Sequence, residues 1–208
     1  MVDITYDKSR VINFSDAVFS IAMTLLVLEV AVPSYSELKT QTIGQVLTNR
    51  IPDFIGLFVS FMVSGLYWVS HLKVMKYVSV VNGKLLWLNI FLLLSIVLLP
   101  FSTALFVKGF DYRGPFMFYC LNLAIIGTLN NWMLWYIYCK EKEKTGFTRI
   151  YYKWYRNRGL NVVLIWVLGI FISGFSSDIA RFIFVLIFVN QFFIDRFYKK
   201  KIHAQETT

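Results

Sequence analysis

One uninterrupted stretch, residues 10–32, limits what this chain can become: Arg-Val-Ile-Asn-Phe-Ser-Asp-Ala-Val-Phe-Ser-Ile-Ala-Met-Thr-Leu-Leu-Val-Leu-Glu-Val-Ala-Val. As a helix rising about 1.5 Å per residue, it is long enough to cross a hydrocarbon layer of about 30 Å. It nevertheless carries Asn13, Ser15 and Asp16 in its first third and Glu29 near its far end. A carboxylate inside a membrane helix costs roughly 3 kcal/mol by insertion scales, so Asp16 is expected to face protein or water rather than lipid. Another face of the same helix collects Phe14, Ala17, Ile21, Thr24, Leu25 and Leu28, at spacings of three and four. The helix thus has a polar anchor on one side and a nearly polar-free stripe on another.

The rest of the chain continues the apolar theme. Hydrophobic residues make up 57% of the 208 and charged residues 16%, the balance of an integral membrane protein. Besides 10–32, which Pro33 closes, the segments 51–70, 85–107, 115–138, 160–175 and 179–198 pass the length test for membrane helices. The expected fold class is all-α: one transmembrane domain, 1–208, with six membrane helices. Lys8 and Arg10 resemble the basic start of a signal peptide, but the following run is too long, holds Asp16 and lacks a small-residue cleavage site. The first segment is therefore expected to remain as a membrane helix. Pro100 interrupts the third segment late, and Gly114-Pro115 opens the fourth, proline being tolerated in a first helical turn. Residues 37–50 are a polar lead-in to the second segment, expected to be helical and interfacial. Ser176-Ser177-Asp178 predicts a tight turn with an N-cap. Gly56, Ser60 and Ser64 recur every four residues, a small-residue stripe suited to close packing against another helix.

An even number of crossings puts both termini on one side. Sorted that way, sixteen of the 21 Lys and Arg residues fall on the side of the termini, and Lys39, Arg50, Lys108, Arg113 and Arg181 on the other. The positive-inside rule makes the basic side cytoplasmic, so a multi-pass protein of the cell membrane is expected, with both termini inside. The net charge of +9 is then a topological signal, and no nucleic-acid partner is implied. The basic, aromatic run Tyr151–Arg158 would rest on anionic lipid headgroups between two membrane helices. Glu29, Glu37, Asp53, Asp111 and Asp178 lie on the far face, where acids would draw cations. Cys120 and Cys139, in and just after one helical segment, are too far apart to form a disulfide with each other.

Nothing in the sequence assembles an enzyme. The two histidines, His71 and His203, stand far apart, no Cys/His or carboxylate cluster has metal-ligand spacing, and no glycine-rich loop suits phosphate. No cofactor is implied, and no metal beyond a permeating cation. What remains is a set of polar residues at similar membrane depth: Arg10, Asn13, Ser15, Asp16, Trp68, His71, Trp87 and Asn89. They fit a buried hydrogen-bond knot of donors around one acid, fixing the first three membrane helices. The competing reading makes Asp16 the coupling carboxylate of a secondary transporter for a cation or for protons.

Phe14-Ser15-Asp16, followed by residues 17–29, resembles the signature first helix of the transmembrane protein 175 family, the lysosomal potassium channels and their prokaryotic relatives. Tyr67-Trp68-Val69-Ser70-His71, Leu86-Trp87-Leu88-Asn89 and Leu98-Leu99-Pro100-Phe101 resemble that family's second and third helices. The resemblance is strong from Arg10 to about Phe101 and weaker afterwards. It implies a prokaryotic single-repeat form assembled as a homotetramer. It also implies a potassium-permeable channel, with potassium as the permeant species and four first helices around a central pore. This family lacks the Thr-Val-Gly-Tyr-Gly filter, and so does this sequence. Carried onto this chain, the resemblance assigns Ile21, Leu25 and Leu28 as hydrophobic rings of the constriction and Thr24 as a hydroxyl ring. A non-conducting membrane assembly protein stands as a third reading.

Overall fold

The computed structural model describes residues 5–110, 112–175, 180 and 182–206, with the backbone alone for 141–145 and 203–206. The expected turn at 176–178 and the far-face residues Asp111, Asp178 and Arg181 lie outside the described residues, as does the side chain of His203.

A two-residue strand, β1 (Thr5–Tyr6), leads into α1 (Lys8–Leu25), which tightens into a 3-10 turn at Leu26–Glu29. Two short helices follow, α2 (Tyr35–Thr40) and α3 (Ile43–Asn49), and then α4 (Ile51–Met75). Strand β2 (Val81–Asn82) precedes α5 (Gly83–Val97) and α6 (Leu99–Lys108). The chain continues through α7 (Arg113–Thr145), α8 (Arg149–Ser173) and α9 (Val185–Glu206).

Among the described residues, four helical stretches are long and apolar enough to cross a membrane: Lys8–Glu29, Ile51–Met75, Gly83–Lys108 and Arg149–Ser173. Helices α7 and α9 occupy the fourth and sixth predicted segments but fall short of that standard. In α7 the reason is a set of polar residues, two of which donate to neighbouring helices. The Asn122 amide donates to Ser102 Oγ on α6 (3.1 Å) and that of Asn130 to Ser70 Oγ on α4 (2.7 Å). A helix packed among other helices need not be dressed for lipid.

Local chemistry explains the remaining boundaries. Pro100 sits in the first turn of α6, and its missing N–H breaks the third segment into α5 and α6 at Leu98. The polar lead-in forms two helices with reciprocal capping boxes, Ser34 with Glu37 and Thr42 with Gln45. Helix α8 starts eleven residues before the predicted segment, so Tyr151–Arg158 is its first turns and no loop. One of its charges is paired inside the bundle: Arg158 donates to Asp195, and Trp154 Nε1 to the same carboxylate at 2.8 Å, both across to α9. The expected headgroup contact for this run is corrected accordingly for Trp154 and Arg158.

Between α7 and α8 the chain turns at Gly146, whose φ of +66° only glycine adopts freely. Phe147 beside it is buried and stacks on Tyr77, ring centroids 4.0 Å apart. At this same end of the bundle, Thr5 and Tyr6 pair with Asn82 and Val81, and Asn157 bonds Tyr198 at 2.9 Å. The N-terminal strand, the two inter-helix loops and the last helix therefore share one end.

The small-residue stripe packs as its spacing predicts. A Cβ at Gly56 would collide with Val107 Cγ2 on α6, and Ser60 Oγ accepts from Thr103 Oγ1 at 2.9 Å. Replacing Gly56 with leucine forces these helices apart, at an expected cost of about 1–3 kcal/mol. Thermal unfolding in detergent reads this as a lower melting temperature, and an unaltered one would contradict the close α4–α6 approach.

Candidate functional site

Helix α1 begins at Asp7, whose side chain caps it by accepting from the Ser9 and Arg10 amides at 2.7 and 3.2 Å. The Ser9 hydroxyl, and then those amides, hold the Asp7 carboxyl below its usual range. Pairing of β1 with β2, together with a Lys8 Nζ bond to the Lys76 carbonyl (3.3 Å), ties this end of α1 to the α4–α5 loop.

One face of α1 is packed inside the subunit, with Val11, Ser15, Phe19, Ala22 and Leu26 buried against neighbouring helices. The polar anchor lies on and beside this face, and it comes in two parts. Trp68 Nε1 donates to Asp16 Oδ1 at 2.8 Å, joining α4 to α1. Separately, His71 Nε2–H donates to Asn89 Oδ1 (2.9 Å), and Asn89 Nδ2 donates to Ser15 Oγ (2.9 Å). Ser15 then donates to the Val11 carbonyl at 2.8 Å. Each group's donor is used by the next, and the chain ends on backbone. Its one loose end is His71 Nδ1, buried without a partner.

The expectation of many donors around one acid is therefore corrected. Ser15 and Asp16 are neighbours, so the helix turns them about 100° apart and they meet different partners. Arg10, Asn13 and Trp87 stay exposed and add no side-chain hydrogen bond to either part among the described residues. Trp87 instead stacks at a tilt on Phe91, ring centroids 6.0 Å apart.

The opposite face of α1 is largely open among the described residues. Ile21 is 58% exposed, Leu25 41% and Leu28 72%, with Phe14, Ala17 and Thr24 on the same open side. Thr24 Oγ1 donates back to the Ile21 carbonyl at 2.9 Å, so its hydroxyl hydrogen is used and its oxygen is left as an acceptor. The 3-10 turn matters here and was not legible as a period. At three residues per turn side chains at i and i+3 eclipse, which brings Leu25 and Leu28 closer to one line than an α-helix would. Leu26, fully buried, anchors that turn against the subunit. At the same end, Glu29 pairs with Lys108 at 3.8 Å, and Glu37 with Arg50 at 3.1 Å. These two far-face acids are thus partly neutralised.

Residues 10–100 match the family model described as endosomal/lysosomal potassium channel TMEM175. A protein of Streptomyces collinus named a potassium channel is 35% identical over 102 residues, 49% of this chain and 48% of that protein. A Chamaesiphon minutus protein, also named a potassium channel, is 32% identical over 102 residues, 49% of this chain and 50% of its own length. The matched stretch thus spans about half the length of these relatives. The crystal structure of a lysosomal potassium-selective channel TMEM175 homolog from Chamaesiphon minutus superposes with a TM-score of 0.77. It is 22% identical, and the match covers 92% of this chain and 97% of that one, which establishes the shared fold.

Proposed function

We propose, from the match of residues 10–100 to the model of the TMEM175 family, a family of ion channels and not of enzymes, that this chain is a potassium-permeable cation channel of the cell membrane. Four copies surround a central pore, and α1 of each copy lines it. Six membrane helices per copy put both termini in the cytoplasm.

The observation that carries this reading is the two-sidedness of α1. Its polar residues Ser15 and Asp16 are tied inward, while Ile21, Leu25 and Leu28 stand open with only Thr24 among them. Four such faces around an axis make a narrow apolar throat. An ion entering it would shed water and receive nothing in return, so the throat gates by dewetting. Opening widens or wets it, and the outward acceptor of Thr24 then meets the partly dehydrated cation. Preference for potassium over sodium follows from the lower cost of dehydrating potassium, and is expected to be modest. No Thr-Val-Gly-Tyr-Gly filter is needed.

The bond from Trp68 to Asp16 favours an anchoring role for this carboxylate over a coupling role. Flux from reconstituted vesicles separates the readings. The channel predicts passive, non-saturating flux that ranks potassium, rubidium and caesium above sodium and draws no protons in exchange. Saturable, proton-coupled flux that Asp16→Asn abolishes would establish the transporter instead, and no flux at all would leave an assembly protein.

A further inference from the structure

Away from α1, a cavity of about 50 Å³ lies among α4, α7, α8 and α9, near the end of the bundle that holds β1 and β2. That exceeds the roughly 10–15 Å³ that a single water needs on the same measure. Its polar lining is one-sided: Lys73, Arg158, Gln191, Asn130 and Ser70 contribute, and no carboxylate does. Arg158 is neutralised by Asp195, which does not line the cavity. Lys73 forms no hydrogen bond and no ion pair within 4 Å among the described residues; Asp195, already bonded to Arg158, is the acid whose charge reaches it.

Two neutral groups point the same way. Gln191 spends its oxygen on Arg158 Nη2 (2.9 Å), which leaves its amide N–H donors free. Asn130, 5% exposed, donates to Ser70 Oγ through Nδ2 and leaves its acceptor Oδ1 unpartnered as it stands. Half a turn of that amide lets its oxygen accept from the Ser70 hydroxyl and frees the NH2 group. A buried polar group left alone in this setting is costly, so the site is built for an occupant. Lys73 lies in the last turn of α4, one of the stretches long and apolar enough to cross a membrane.

We propose that this cavity binds a phosphate group, with Lys73 as its charged ligand and Gln191, Arg158 and Asn130 as hydrogen-bond donors. The phosphate belongs either to an anionic lipid headgroup or to free phosphate. Two measurements on the full-length protein in neutral detergent distinguish them. Thermal unfolding is followed against inorganic phosphate, with chloride holding ionic strength constant. Native mass spectrometry is followed against phosphatidylglycerol, with diacylglycerol as the phosphate-free control.

Stabilisation by inorganic phosphate assigns the free anion. Retained phosphatidylglycerol without that stabilisation assigns the headgroup. In either case Lys73→Gln is expected to weaken binding about tenfold, the worth of a charge-assisted hydrogen bond, and Lys73→Arg to restore most of it. Should Lys73→Gln not fold, Gln191→Met reads the same loss. Binding of neither probe, or equal affinity in the variant, overturns the proposal. Neither measurement depends on ion flux, so this proposal and the channel reading can fail separately.

Discussion

Replacing Ile21 with asparagine is expected to raise potassium leak through reconstituted protein by about tenfold or more. In the proposed assembly Ile21 contributes four branched aliphatic side chains to one ring, and the barrier there is the absence of anything to replace water around the ion. Asparagine is close in size but brings an amide donor and acceptor, so the ring holds water when otherwise closed. A barrier reduction of about 1.4 kcal/mol is enough for the tenfold change. Phe58→Asn is the matched control, since Phe58 is as exposed as Ile21 but stands on α4. Leak in Ile21→Asn no higher than in the unmodified protein would remove Ile21 from the pore, and equal leak in both variants would point to general disruption. Leu28→Asn is expected to act in the same direction, because the 3-10 turn leaves Leu28 the more open of the two.

The second large effect is on assembly. Asn89→Leu deletes the middle of the chain from His71 to Val11: His71 Nε2–H loses its acceptor, and Ser15 Oγ loses the bond it accepts while keeping the one it donates to Val11. Hydrogen bonds between membrane helices are worth only about 0.6 kcal/mol on average. Orphaning buried groups costs more, about 1–3 kcal/mol for each. The variant is therefore expected to melt several degrees lower and to weaken the proposed assembly, read as a shift to smaller species on size exclusion. Replacing both partners, His71→Phe with Asn89→Leu, should recover much of that loss, because no polar group is then left bare on the His71 side. A double variant as unstable as the sum of its singles would contradict the chain as the cause. Asp16→Asn is expected to be milder, since an amide oxygen still accepts from Trp68 Nε1.

How much of this was legible in advance differs from residue to residue. Ser15, Asp16, Trp68, His71 and Asn89 were readable as polar groups at one depth, because a membrane makes every polar residue conspicuous. Their division into two separate contacts was not readable, since it depends on the rotation of α1 against both α4 and α5. Arg10, Asn13 and Trp87 had the right depth but the wrong face. The asparagines of α7 carry no sequence signal of their partners, because Ser70 and Ser102 lie on other helices. The first turns of α8 looked like a loop for the same reason: the carboxylate that neutralises Arg158 lies 37 residues away in sequence.

By itself the sequence determined that the chain is helical, that its apolar segments seek a membrane, and that α1 carries two unlike faces. Length, hydropathy and charge act locally, so they survive without coordinates. Only the tertiary structure decided which face of α1 turns inward, where Pro100 and the 3-10 turn break the helical period, and which polar groups meet. Those outcomes depend on helix rotation and separation, which distant residues such as Gly56 and Val107 set by how closely two backbones can approach.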